Sequence, residues 1–199
     1  MSVAQQPNDG LPLQQSPPRD LPCACTRGAA DIERCGTSRP RLGRVSEERA
    51  LKALAESGID YEIVRHGRVR SLAEAAAARG VEPAAVIKTI VVRRGDDDFV
   101  FVLVPGDRTI AWPKLRALLG VNRLSMPTAD VAKDVTGYER GTITPFGSVR
   151  AWPVIADERV AGRQVSIGAG AHGVSARADG DQLIRALHAQ VADVTDPEG

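Results

Sequence analysis

The sequence predicts an α+β domain built on a mixed, mostly antiparallel sheet. Two observations carry that prediction. Helical and strand-like segments are interspersed without the regular β-α-β alternation that a wound parallel sheet requires. Two short, largely apolar runs, residues 85–92 and 99–104, also flank a polar turn at residues 94–98, the pattern of two core strands paired antiparallel.

Taken in order, residues 1–44 read as a tail. Pro7, Pro12, Pro17, Pro18, Pro22 and Pro40 are set among Gln, Ser and Arg with little periodic apolar content, so the segment cannot bury enough surface to offset its ordering entropy. Ser46 is expected to cap a first helix whose apolar stripe is Leu51, Leu54 and Ala55, ended by Gly58. A strand follows at residues 59–65, with His66 at its exit. Ser71 and Glu74 form a capping box for a second helix that Gly80 stops. Glu82-Pro83 starts a short helical turn, because proline is tolerated in a first turn.

The run 85–92 comes next and is rich in β-branched residues. Its one charge is Lys88. An unpaired buried ammonium is very costly, so Lys88 must reach solvent, a partner or a ligand. The second core strand, 99–104, is broken by Pro105-Gly106-Asp107. The sequence then predicts a short strand at 109–111, a helix opened by Pro113 and closed by Gly120, a short strand at 123–126 and a helix capped by Thr128. Beyond the Gly-rich loop 137–147, strands are expected at 149–152, 154–155 and 164–167. A second Gly-rich loop, 168–173, leads to a strand at 174–177 and a final helix capped by Asp179.

Composition limits the function. The chain has 199 residues, 43% of them hydrophobic, enough for one domain and a real core. No apolar run reaches the roughly 18 to 20 residues of a membrane span, and the N-terminus lacks a secretory pattern. A cytoplasmic protein with no membrane partner is expected. Net charge is +1 overall: residues 1–45 contribute +2 and residues 46–199 contribute −1. The domain is therefore not a basic one with a broad grip on phosphate backbones, although a local pocket for a nucleotide end remains open. Cys23, Cys25 and Cys35 all lie in the tail at spacings that match no standard zinc pattern. The domain holds no cysteine nucleophile and no His-carboxylate cluster, so neither metal nor cofactor is expected. Gly168-x-Gly170-x-x-Gly173 matches a dinucleotide fingerprint by letters, but a strand follows it rather than a helix, which excludes that role. Each Gly-rich loop taken alone reads as a tight turn before it reads as a site. His172 reads as an exposed imidazole and His188 as a packing or surface residue.

The motifs together carry a resemblance. Val86-Ile87-Lys88-Thr89-Ile90-Val91-Val92 resembles the lysine strand of the YbaK/EbsC family, relatives of the editing domain of bacterial prolyl-tRNA synthetases. Thr136-Gly137-Tyr138 with Gly141-Thr142-Ile143-Thr144-Pro145-Phe146-Gly147 resembles its second motif, and Ile167-Gly168-Ala169-Gly170-Ala171-His172-Gly173 its third. The resemblance spans about residues 46–195 and implies a barrel-like mixed sheet in a domain over 45–199. It also implies an aminoacyl-tRNA deacylase acting on Cys-tRNA(Pro) or another mischarged tRNA bearing a small amino acid, with prolyl-tRNA synthetase as a second partner. Lys88, Gly137 and Gly141 would be catalytic. His66, Tyr138, Thr142, Pro145, Gly147, Gly168, Gly170 and His172 would bind substrate. Cys-selective members carry a serine where this chain has Gly168, which leaves the amino acid open. Two further readings stay open: a non-catalytic binder of an aminoacyl or nucleotide end, and a module that docks on a synthetase.

Overall fold

The structure is a computed structural model, and it describes residues 42–198. The tail and its three cysteines lie outside the described residues, apart from residues 42–44, which already belong to the first helix. That helix, α1 (Leu42–Glu56), precedes β1 (Tyr61–Arg65), α2 (Leu72–Arg79), a single 3₁₀ turn (Pro83–Ala85), β2 (Val86–Gly95), β3 (Asp98–Pro105) and β4 (Arg108–Ile110). Then come α3 (Trp112–Leu119), α4 (Ala129–Thr136), β5 (Val154–Asp157), β6 (Gln164–Gly168), β7 (Val174–Asp179), α5 (Gly180–Ala186), β8 (Gln190–Ala192) and β9 (Thr195–Pro197).

Seven strands form one mixed sheet in the order β1-β7-β6-β2-β3-β5-β8, and β4 pairs with β9 apart from it. The long ladders are antiparallel: β2 with β3, β6 with β7, and β1 with β7. The parallel contacts, β2 with β6, β3 with β5 and β5 with β8, are two or three residues long. The runs are apolar at nearly every position because both faces of the sheet are covered. Along β3, Phe99, Phe101 and Leu103 pack with Leu54 of α1, Val135 of α4 and Leu183 of α5. Val100, Val102 and Val104 face the other way, against Leu115 of α3, Ile110 and Val194.

The cap of α2 is as expected: Ser71 Oγ accepts from Glu74 N–H, and Gly80 closes the helix in a left-handed conformation. Four expectations are corrected. Ser46 does not cap α1, which begins at Leu42; its hydroxyl instead donates to Gly170 O at 2.8 Å, a contact 124 residues away in sequence. Residues 123–126 form no strand, only a bridge in which Arg93 and Ser125 exchange backbone bonds of 2.8 and 3.2 Å; Pro127 has no N–H with which to extend it. Residues 149–152 form no strand either, because Trp152 is held sideways. Its indole donates to Val135 O at 2.9 Å, and its ring meets Phe99 edge-on at 5.3 Å. Finally, the chain does not end on a helix: β8 and β9 follow, and buried Asp157 anchors β9 by accepting from Val194 N–H at 3.3 Å and Thr195 Oγ at 2.7 Å.

Candidate functional site

Loop 168–173 is the hairpin connection between β6 and β7, and loop 137–147 leaves the C-terminus of α4. The fold brings them together. A Cβ at Gly141 would lie 3.3 Å from His172 Cε1, and a Cβ at Gly168 would lie 3.4 Å from Ile143 O. Gly170, at φ +81°, backs onto α1 so closely that a Cβ would sit 2.6 Å from Ser46 O and 3.0 Å from Tyr138 Cε1. Only glycine fits there, on both dihedral and steric grounds. Between the loops lies a small cleft, lined by Ser46, Lys133, Glu139, Thr142, Gly170 and His172 among others. Lys133 and Glu139 form an ion pair of 3.3 Å at its rim.

Arg49, a residue that carried no motif signal, ties this region together. Its Nε donates to Gly147 O at 2.5 Å, and one terminal nitrogen donates to Gly137 O at 3.0 Å and reaches Thr136 O at 3.5 Å. Its guanidinium lies 4.7 Å from the centre of the Tyr138 ring. A cation on the last carbonyls of α4 also meets the negative end of the helix dipole. Ser46 and Arg49 are three residues apart on α1, so one helical face holds both loops. That spacing was visible in the sequence, but nothing identified its partners.

The proposed site residues fall into two groups, and Thr142 belongs to both, lining the cleft while spending its polar hydrogens inside the loop. Gly141, Thr142, Gly168, Gly170 and His172 lie at or beside the loop junction, with His172 exposed. His66 lies beside loop 168–173, because its backbone N–H donates to Gly173 O at 2.8 Å. Its ring spans Gly67 O, 2.8 Å from Nδ1, and the Arg79 Nε–H donor, 3.3 Å from Nε2. Since Arg79 can only donate, the bond geometry assigns the proton to Nδ1. Burial lowers the pKa of Arg79 below its ordinary value.

The other group has structural duties. Tyr138 is fully buried, and its hydroxyl donates to Phe146 O at 2.6 Å. It therefore cannot line a substrate surface. Burial pushes the Tyr138 phenol up, with the Arg49 cation opposing. Gly137 is not an oxyanion donor, because its N–H is given to Lys133 O at 2.6 Å to close α4. Thr142 spends its N–H and its hydroxyl on Glu139 O at 2.9 and 2.8 Å. Gly147 O is taken by Arg49, and Pro145 O by Ser148 N–H. These two residues shape the loop.

Lys88 sits beside the junction by register but is not in the cleft. Ile87 pairs with Ile167 in the parallel β2–β6 ladder, so the next residues, Lys88 and Gly168, are neighbours on one face. The Lys88 ammonium donates to Gly106 O at 2.8 Å, to Arg108 O at 2.6 Å and to the Glu198 carboxylate at 3.2 Å. Its three N–H groups are thus matched by three acceptors, and the side chain is 35% exposed. Ser175 pairs directly with Gly168, and its fully buried hydroxyl has no partner among the described residues. Also among the described residues, no group of His, Cys, Asp or Glu side chains could hold a metal, and no helix is long and apolar enough to cross a membrane.

Known proteins resemble this chain in sequence and in fold. A proline–tRNA ligase of Trichlorobacter lovleyi is 28% identical over 138 residues, which is 69% of this chain and 22% of the ligase. One from Heliobacterium modesticaldum is 41% identical over 80 residues, 40% of this chain and 14% of the ligase. The chain therefore spans about a fifth or less of the length of these relatives. A crystal structure described as a candidate trans-editing enzyme for prolyl-tRNA synthetase superposes with a TM-score of 0.70 at 29% identity, covering 77% of this chain and 98% of that one. The hypothetical protein APE2540 shares the fold, with a TM-score of 0.68 at 24% identity over 74% of this chain and 99% of that one. The aminoacyl-tRNA editing domain matches residues 66–186, and with more than half of its length inside that match, this chain belongs to the aminoacyl-tRNA editing domain family.

Proposed function

We propose that this chain is a trans-editing deacylase that hydrolyses the ester of a tRNA mischarged with a small amino acid, Cys-tRNA(Pro) being the first candidate. The reading rests on family membership and on one observation: two Gly-rich loops meet at Gly141 and His172 over a cleft too small for a bulky side chain. Water attacks the ester carbonyl, the bond to the ribose oxygen breaks, and the proton from water ends on that oxygen. The products are a free amino acid and an uncharged tRNA. Backbone N–H groups at Gly141 and along loop 168–173 would stabilise the oxyanion, which needs no side-chain nucleophile. His172, exposed at the cleft, would carry the proton. Lys88 would hold a phosphate of the terminal nucleotide by exchanging Glu198, whose side chain is 61% exposed, while keeping its two carbonyl acceptors. The protein would act in the cytoplasm, alongside prolyl-tRNA synthetase.

A non-catalytic binder is the second reading. It is favoured by the full set of acceptors on Lys88 and by the internal use of the Gly137 and Thr142 N–H groups. Single-turnover assays on tRNA(Pro) charged with Cys, Ala or Pro separate the two. The deacylase reading expects wild type to release one small amino acid faster than the buffer does, and expects folded Lys88→Ala and Lys88→Arg proteins to lose that rate. Release no faster than buffer across the panel favours the binder, and full activity in Lys88→Ala removes the lysine from the mechanism.

A further inference from the structure

A second cleft opens at the far end of β2. Its walls are the tip of the β2–β3 hairpin and the segment that follows α3, and Arg93, Arg94, Arg116 and Arg123 line it together with Asn122 and Asp96. Four guanidiniums and one carboxylate give it a net charge of +3 by formal count, on a domain whose residues 46–199 sum to −1. Adjacent residues of a regular strand point to opposite faces, so Arg93 and Arg94 should not share a cleft. They do so because the ladder slips between Arg93 and Gly95, and such a bulge re-aims side chains. The walls are fixed to each other by the paired backbone bonds of Arg93 and Ser125.

Two of the four cations are held in place. Arg93 bonds Asp96 at 2.6 Å, and Arg94 grips Asp98 with two bonds of 2.7 and 2.9 Å. The other two, Arg116 in the last turn of α3 and Arg123 in the following loop, have no side-chain partner among the described residues. Unpaired like charges brought together repel, and within the fold the arrangement gains nothing in return. Planar guanidinium forks suit phosphate oxygens. Six residues of strand separate Lys88 from Arg94, a span of about 20 Å, so a molecule touching both would be extended.

We infer that this arginine cleft binds phosphates of the RNA backbone, gripping the tRNA some distance from its aminoacyl end. The inference rests on the editing reading only for the identity of the RNA, and its test does not use deacylation. The full chain is titrated with fluorescently labelled, deacylated tRNA over a series of salt concentrations. Arg116→Ala/Arg123→Ala should weaken binding about tenfold near 0.1 M salt and lower the slope of log K against log salt by about 1 to 2. Lys52→Ala/Arg185→Ala removes the same charge elsewhere and should leave the slope nearly unchanged. The inference is overturned if the cleft variant binds as wild type does, if both double variants weaken equally, or if wild type does not bind tRNA at all. It is also overturned if inorganic phosphate at constant ionic strength displaces the tRNA at millimolar concentration, which would mark a small-anion site. Deacylation that fails while the slope still depends on Arg116 and Arg123 leaves this cleft standing and removes only the catalytic reading.

Discussion

Replacing Arg49 with alanine should destabilise the domain well beyond an ordinary surface change. The side chain makes two well-formed bonds to carbonyls, at 2.5 and 3.0 Å, one marginal bond at 3.5 Å, and a cation–ring contact at 4.7 Å. Each charge-assisted bond contributes about 1.5 kcal/mol and the ring contact about 1 kcal/mol, less what water restores to the freed carbonyls. The net loss is about 3 kcal/mol, or about 6 to 12 °C in midpoint for a domain of this size. Arg49→Lys keeps the charge, but a single ammonium cannot bridge Gly137 and Gly147 as the guanidinium fork does, so it should recover only part of the loss. Thermal unfolding followed by circular dichroism reads both variants. A midpoint for Arg49→Ala within about 2 °C of wild type would refute the claim that one α1 residue fastens the loops.

Three further outcomes follow from buried groups and from Gly168. Tyr138→Phe removes the bond to Phe146 O and should cost about 1 kcal/mol in urea unfolding. Because burial raises the folded pKa of Tyr138 above 10.0, its share of stability is whole below that pH and is lost as pH climbs toward the folded value. The phenylalanine variant should accordingly show a smaller stability loss above pH 10 than wild type. Asp157→Ala strands the Val194 N–H and the Thr195 hydroxyl and should cost about 3 kcal/mol; hydrogen exchange should speed up at β9, and unchanged protection there would contradict the anchor. Gly168→Ser should fold, since the nearest atom to its Cβ is Ile143 O, at 3.4 Å, and the next, Thr142 O at 3.9 Å, is in ordinary contact; it should shift the preferred amino acid in the deacylation panel. A loss of unfolding free energy above about 2 kcal/mol would show that the position is closed to a side chain.

The fold was legible where local signals and tertiary needs agreed. The runs 86–92 and 99–104 are apolar at nearly every position because the sheet is covered on both faces, and the caps at Ser71, Thr128 and Asp179 form as their side chains dictate. Misreadings arose where a distant partner claimed a residue. Ser46 has the chemistry of a cap, but Gly170 O takes its hydroxyl. Trp152 looks like a strand residue until Val135 O takes its indole. Strands β8 and β9 are three residues each, too short for periodicity, and β9 is anchored to buried Asp157. At the site, the spacing of glycines marked both loops, but it could not tell which backbone groups remained free. That depended on contacts such as Gly137 N–H to Lys133 O. The Arg93–Arg123 cleft was invisible because a bulge and a loop assemble it from separate segments.

If the junction of the two Gly-rich loops carries the chemistry, Gly141→Val should stop it. Gly141 is exposed at φ +88°, and an added Cβ would face His172 at 3.3 Å. The backbone strain should cost about 1 to 3 kcal/mol, which leaves a folded protein. The measurement is the single-turnover deacylation rate of the variant on the tRNA that wild type edits fastest, with tRNA affinity measured in parallel. A rate loss of about 100-fold or more is expected, with affinity within about twofold of wild type. A folded Gly141→Val protein that deacylates at the wild-type rate would contradict it.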